Sequence, residues 1–345
     1  MHIKKGLRHD LCQMKNSSSS LTLLLLPRLI DTGDFKKERD MDLPPDPATL
    51  NIWFDWLMHR RQADDADYGQ RVQRDVESYA DRVLDGAALK QGMTLVDLGA
   101  GDGLIGFRAI DRIGASLKVI MVDISVPLLK FAEQSATSRG LRQQCTFLLS
   151  SAERLSGLES DSVDAVTTRS SLAYVVDKSA ALRECFRILK PGGRLSIAEP
   201  VFRDSALAAA SLRRRLESGQ IDRTKSILHL VHRWHAAQYP DTDEGIRSSP
   251  IANYTERDLL RLAQAAGFGE LHLELHISVT NTYRKSWEVF VDSSPHPLAP
   301  SLRTILEARF TAEERRLFEA AVRPMVESAE FAETDRMVYL TALKP

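Results

Sequence analysis

Val96-Asp97-Leu98-Gly99-Ala100-Gly101-Asp102-Gly103 places three glycines at alternate positions behind an apolar run. Glycine lets a backbone approach a ligand closely, and a helix that starts beyond such a turn offers unpaired N–H groups to it. Leu104-Ile105-Gly106-Phe107-Arg108-Ala109-Ile110 has the composition of that helix. The spacing is Gly-x-Gly-x-Gly, with Asp97 two residues before the first glycine. The dinucleotide fingerprint would require glycine at position 104, where this chain has Leu. A further carboxylate, Asp123, ends the next apolar run, Leu117 to Val122. It lies about 20 residues on, where an acidic side chain accepts hydrogen bonds from ribose hydroxyls.

Other reactive side chains fall just after apolar runs. Arg169-Ser170-Ser171-Leu172-Ala173-Tyr174 brings a guanidinium, two hydroxyls and a phenol together. Arg169 is suited to an acidic group on a ligand, or to an ion pair with Asp97 or Glu199. Glu199-Pro200 ends another run. A partly buried carboxylate there would serve as a general base for a hydroxyl or carbon acid, bind an amine, or pair with Arg169. His229, His232 and His235 recur at three-residue spacing, with Arg233 and Trp234. Zinc would need a fourth ligand and an ordered outer shell, so a pocket histidine, with His232 as the candidate, or plain lid residues are the competing readings. No other metal-ligand spacing is present.

The elements that position these groups follow from periodicity. Strands are expected at 93–98, 117–122, 145–150, 163–168 and 194–198, and helices at 103–113, 126–138 and 177–189. Lys190-Pro191-Gly192-Gly193 is a stop signal. This alternation implies an α/β doubly wound, mostly parallel sheet with helices on both faces. Ligands in such sheets bind beyond the carboxyl ends of the strands, near the reversal of strand order. The glycine turn, Asp123, Ser151, Arg169 and Glu199 should therefore line one edge. A capped helix over 255–267, a strand over 271–279, helices within 284–334 and a last strand over 337–343 complete the pattern.

The segment from 93 to 200 resembles the class I (Rossmann-like) S-adenosylmethionine-dependent methyltransferases of the small-molecule type; the resemblance continues more weakly to 280. It implies a seven-stranded sheet with an antiparallel last strand, here with the final hairpin split by a helical insertion. It implies S-adenosylmethionine as cofactor. Gly99, Ala100, Gly101 and Gly103 would carry its methionine part over bare backbone, and Asp97 would orient the loop or reach the amino group. Asp123 would accept both ribose hydroxyls, with a helix N-cap as its competing role. Ile124 would pack on adenine. The third motif departs from the family: Ser151 stands where an Asp usually precedes Ala, so adenine recognition would rest on the Ser151 hydroxyl and the Ala152 backbone. Glu153 reads as a solvated helix-start charge. Arg169 would hold the cofactor carboxylate or an acidic substrate. Glu199, Tyr174 and His232 are the catalytic candidates beside the acceptor, whose atom (O, N, C or S) stays open. The intact glycine loop speaks against a regulatory or partner subunit that binds the cofactor without methylating. An aminopropyl-type transferase would want an acidic polyamine pocket.

The chain has 345 residues, 43% hydrophobic and 27% charged, with a net charge of −1, which gives a nucleic-acid surface no support. Its three cysteines, Cys12, Cys145 and Cys185, are scattered; the latter two read as buried thiols, and a cytoplasmic setting fits. Residues 1–40 combine a basic start, a serine run and Leu21 to Leu26, broken by Pro27-Arg28 with no cleavage site after it. They are expected to be a disordered extension. Residues 41–92 are expected to form a helical lid, with Trp53 and Trp56 on one face and Tyr68 or Arg71 reaching the site. The cofactor-binding core is placed at 93–283 and 335–345, with a helical cap at 205–250 and a helical insertion at 284–334. The Trp-rich lids favour a bulky small-molecule substrate, with no nucleic-acid or membrane partner. The oligomeric state is not legible.

Overall fold

The computed structural model describes residues 52–63, 65–222, 226–281, 285–328, 330 and 332–345. The expected extension over 1–40 lies outside them. Seven strands form one sheet: β1 (Thr94–Leu98), β2 (Lys118–Asp123), β3 (Cys145–Leu149), β4 (Val163–Arg169), β5 (Leu189–Pro200), β6 (Gly269–Asn281) and β7 (Ala332–Leu343). Their order is β3-β2-β1-β4-β5-β7-β6, and only β7 runs antiparallel to its neighbours. The order reverses at β1, which pairs with β2 on one side and β4 on the other. A crevice at the carboxyl ends of β1 and β4 is the physical consequence.

Eleven helices of regular length accompany the sheet among the described residues: α1 (Ala66–Ala87), α2 (Leu104–Ile113), α3 (Val126–Ser138), α4 (Lys178–Ile188), α5 (Arg203–Glu217), α6 (Leu228–Gln238), α7 (Asp243–Ser248), α8 (Glu256–Ala265), α9 (Trp287–Asp292), α10 (Leu302–Arg309) and α11 (Ala312–Glu327). Local chemistry sets their starts. Ser125 caps α3 by accepting from Leu128 N, and Asp177 caps α4 by accepting from Ala180 N. Thr255 with Asp258 and Thr311 with Glu314 form reciprocal capping boxes on α8 and α11. The α1 residues Val76, Ala80, Val83, Leu84 and Ala87 recur at helical spacing and are buried. Ser196 Oγ on β5 donates to Val83 O at 2.7 Å, fixing α1 against the sheet.

One core lies on each sheet face. Leu95, Val119 and Met121 meet α1, α2 and α3 on one side; Val96, Val166 and Leu195 meet α4 and α8 on the other. The alternation along β1 is why neighbours Leu95 and Val96 serve opposite cores. A third core joins Leu212 and Trp234 of α5 and α6 with Phe290, Leu306 and Phe318 of α9, α10 and α11. The two helical segments expected to be separate therefore share one apolar interior, at about 1.5–3 kcal/mol for each fully buried large side chain. The insertion between β6 and β7 is thereby tied to the cap after β5. Cys145 and Cys185 are buried free thiols, as read from their apolar settings. No described helix is long and apolar enough to cross a membrane.

Candidate functional site

The glycine turn leaves β1 with Gly99, Gly101 and Gly103 all at positive φ (70°, 57° and 84°). A Cβ on Gly99 would lie 1.9 Å from Ser171 Oγ, and one on Gly101 would lie 3.3 Å from Leu57 Cδ2. Bare backbone is therefore required on both counts. Asp97 is 2% exposed; its Oδ2 accepts from Gly106 N at 3.2 Å and its Oδ1 from Thr167 Oγ1 at 3.2 Å. It ties β1 to β4 and to the first turn of α2, so it orients the loop from beneath. Burial pushes its carboxyl up to about 7, against the opposing pull of those hydrogen bonds.

Asp123 ends β2 and turns toward the same loop. Its Oδ2 accepts from Gly101 N at 2.9 Å and its Oδ1 from Ser125 N at 2.8 Å. The N-cap of α3 is Ser125, so the capping role considered for Asp123 belongs to its neighbour. Burial raises the Asp123 carboxyl above the ordinary carboxylate range. A carboxylate offers about four lone-pair positions, so further donors can be received. Ile124 beside it is half-buried.

The third motif is a turn, with no helix starting at Glu153. Ser151 is exposed, and its Oγ accepts from Glu153 N at 3.2 Å. Ala152 packs into the core. Glu153 Oε1 accepts from Asp177 N at 2.7 Å, so this carboxylate fastens the turn to α4 instead of standing as a solvated helix-start charge.

After β4 the chain makes a short helical turn, Leu172–Tyr174, and Glu199 of β5 holds it. Glu199 is fully buried. Its Oε1 accepts from Ser171 N (3.1 Å), Leu172 N (3.0 Å) and Thr168 Oγ1 (3.2 Å), and its Oε2 from Ala173 N (2.9 Å). The general-base expectation for Glu199 is corrected by this geometry: both oxygens are engaged by the backbone that carries Tyr174. The alternative considered for Arg169, an ion pair with Asp97 or Glu199, is also absent. Arg169 is half-buried, its described hydrogen bond is to Ser170 Oγ at 3.5 Å, and it makes no ion pair with the described residues. Its guanidinium acts on Asp97 and on the Tyr174 phenol from nearby.

A helical segment over 52–60 crosses this edge. Phe54 meets Phe131 of α3 with ring centroids 6.5 Å apart, Leu57 faces Gly101, and Trp53 meets Tyr174 edge-on at 5.0 Å. The far end docks on the turn after α9. Trp56 Nε1 donates to Ser294 O at 3.1 Å, Ser294 N donates to Arg60 O at 3.1 Å, and Arg60 donates to Pro297 O and Ala299 O, each at 3.2 Å. Tyr68, which with Arg71 was a candidate for reaching the site, accepts from Lys285 Nζ at 3.1 Å.

Tyr174 continues into an aromatic run: Phe202 at 6.4 Å, then Tyr239 and His296, each between 5 and 6.5 Å from Phe202. Burial, and then the Glu199 carboxylate, raise the Tyr174 phenol, so it stands as a neutral wall instead of a proton carrier. His232, a catalytic candidate from the sequence, lies at the cap with its Nε2 2.9 Å from Asp241 Oδ2. Two residues escaped the sequence reading. Arg61 is largely buried with Nε unpartnered, and its guanidinium lies near Asp102 and Arg169; burial lowers its pKa. His296 is 1% exposed with Nδ1 unpartnered. The sequence signal for both was slight, a basic pair at 60–61 and a proline-flanked turn.

A family model described as a methyltransferase domain matches residues 89–266, just over half of the chain. The ubiquinone/menaquinone biosynthesis C-methyltransferase UbiE of Idiomarina loihiensis is 32% identical over 116 residues, 34% of this chain and 46% of that protein. The same enzyme of Edwardsiella ictaluri is 34% identical over 116 residues, with the same coverage. The chain thus spans about half the length of these curated relatives. Among solved structures, a phosphoethanolamine N-methyltransferase 2 from Haemonchus contortus, in complex with phosphomonomethylethanolamine and S-adenosylhomocysteine, is 16% identical. That match covers 87% of this chain and 57% of the other, with a TM-score of 0.46.

Proposed function

The chain belongs to the methyltransferase-domain family, and on that premise we propose that it transfers a methyl group from S-adenosylmethionine to a small-molecule acceptor. The observation that carries this reading is the glycine turn at the reversal of strand order, with the buried Asp123 carboxylate turned onto Gly101 N. The residues fit the cofactor. Positive-φ glycines leave a cradle that a Cβ would fill, Asp123 retains acceptor positions for ribose hydroxyls, and Arg61 presents a half-buried guanidinium, with a buried unpartnered Nε, near Arg169 for a carboxylate. Ile124, Ser151 and Ala152 would border the adenine end.

When bound, S-adenosylmethionine supplies an electrophilic methyl group on a sulfonium. This chain's residues then have to position the acceptor and exclude water. The segment over 52–60 covers the glycine turn through Leu57, and the aromatic run from Trp53 and Tyr174 gives the acceptor an apolar wall. Glu199 is a positioning residue that fixes the Tyr174 turn through three backbone amides. The curated relatives are named for C-methylation in quinone biosynthesis, and an acceptor carbon activated by a ring hydroxyl suits the apolar wall.

Calorimetric titration of the full chain with S-adenosylhomocysteine tests the reading, beside Asp123→Ala and an NAD control. Micromolar binding, weakened at least 100-fold in the variant and absent with NAD, is expected from the loss of two charge-assisted hydrogen bonds of about 1.5–3 kcal/mol each. No binding to the wild type overturns the proposal.

A further inference from the structure

His296 lies in the turn between α9 and α10, about 100 residues beyond the cofactor-binding half of the sheet. Its Nε2 is 2.9 Å from Gln238 O. A carbonyl can only accept, so Nε2 carries the proton. Burial pushes the imidazole down to about 4, with the Arg60 guanidinium acting in the same direction, so the ring is neutral at pH 7. Nδ1 is then a bare lone pair, fully buried and unpartnered. Such an acceptor is costly to leave unsatisfied. Two residues earlier, Ser294 Oγ is buried and unpartnered as well.

The surroundings select a ligand. The imidazole centroid lies 5.3 Å from Phe202 and 5.3 Å from Tyr239, and Phe202 leads to Tyr174 and Trp53 at the cofactor edge. An aromatic run of this kind receives a flat apolar body or an organic cation. Charge decides between them. Arg60, Arg61 and Arg169 border the run, and among the described residues Arg61 and Arg169 have no carboxylate in ion-pair contact. Asp55 is paired with Arg60 at 2.6 Å, Asp102 lies near Arg61, and Glu199 is engaged by the backbone, which leaves the Arg169 guanidinium without an ion-pair partner among the described residues. That charge opposes an ammonium group; it does not oppose a neutral hydroxyl, or one becoming anionic.

We propose that the turn at Ser294–Pro297 completes the acceptor site, and that His296 Nδ1 receives the hydrogen bond of a hydroxyl on a planar aromatic acceptor lying along Tyr174, Phe202 and Tyr239. This rests on the methyltransferase reading above and adds the acceptor class and the residue that selects it. The segment over 52–60 is fastened to the same turn through Arg60 and Trp56, so closing the cofactor edge and presenting His296 are one mechanical event.

The test is calorimetry on the full chain saturated with S-adenosylhomocysteine, with 2-naphthol and its methyl ether, 2-methoxynaphthalene, as probes. The ether keeps the flat body and loses the donor. Wild type is expected to favour 2-naphthol by about tenfold, the value of one net hydrogen bond to a buried acceptor. His296→Phe keeps a flat ring of similar size and has no lone pair to offer, and it should bring the two probes within about twofold. Equal affinity in the wild type, a preference that survives in His296→Phe, or failure of both probes to bind overturns the proposal. The permanent cation trimethyl(2-naphthyl)ammonium binding more tightly than 2-naphthol at pH 7 would also do so. If S-adenosylhomocysteine itself does not bind, the cofactor reading fails instead, and that outcome is read separately in the first titration.

Discussion

Replacing Glu199 by glutamine should separate a positioning role from a proton-transfer role. The carboxylate receives four hydrogen bonds, three at Oε1 and one at Oε2. Glutamine keeps one oxygen. If that oxygen occupies the Oε1 position, the amide NH2 faces Ala173 N–H, a donor against a donor at 2.9 Å. One charge-assisted bond worth about 1.5–3 kcal/mol is lost, and a buried N–H is left unsatisfied. Relief from burying a charge offsets part of this, since burial already raises the Glu199 carboxyl. The net expectation is a loss of about 2–4 kcal/mol in unfolding free energy. S-adenosylhomocysteine should bind more weakly as well, because Ser171 sits against Gly99. Urea denaturation followed by tryptophan fluorescence measures the first quantity and calorimetry the second. Stability within about 0.5 kcal/mol of wild type, with unchanged cofactor affinity and a large fall in turnover, would refute the positioning argument and restore Glu199 as a base.

Asp97 carries a pH prediction. Its folded pKa, about 7, is raised above the unfolded value of 3.8. Between those values the native state holds a proton that the unfolded chain has released, so stability falls as pH rises. From pH 5 to pH 7 the wild type should lose about 2 kcal/mol relative to Asp97→Asn; parallel denaturation curves for the two proteins at both pH values would contradict this. Arg60→Ala should loosen the segment over 52–60 by removing its bonds to Pro297 O and Ala299 O. Hydrogen exchange there should quicken about 10- to 100-fold, with the α1 amides from Ala80 to Ala87 unaffected. Unchanged exchange would mean that Trp53, Phe54 and Leu57 hold the segment alone.

The strands and helices of the nucleotide-binding half were legible within a residue or two, except that β5 begins at Leu189 and takes in the Lys190-Pro191-Gly192-Gly193 segment read as a stop. Apolar runs closed by Gly99, Asp123 and Arg169 marked β1, β2 and β4, and Ser125 and Thr255 marked helix starts. The placement of functional side chains was less legible. Glu199 stood at a strand end like Asp123, and was read as a candidate base where Asp123 was read as a ribose contact. Nothing local distinguishes a carboxylate left open from one taken by amides 26 to 28 residues away. The lid was expected from its tryptophans, yet the Lys285 partner of Tyr68 could not be foreseen, because helical periodicity reports which face is apolar and not what that face meets.

By itself, the sequence determined what rests on short-range physics: the strand–glycine–helix turn, the βαβ alternation that forces ligands to one sheet edge, and the residue types waiting there. Only the tertiary structure decided what depends on partners far along the chain. Trp56 meets Ser294 across 238 residues, α6 shares a core with α11, and His296 comes beside Phe202. Backbone propensity and periodicity act over one or two turns. Satisfaction of a buried lone pair depends on which surfaces pack together, and that is fixed only when the whole apolar interior closes.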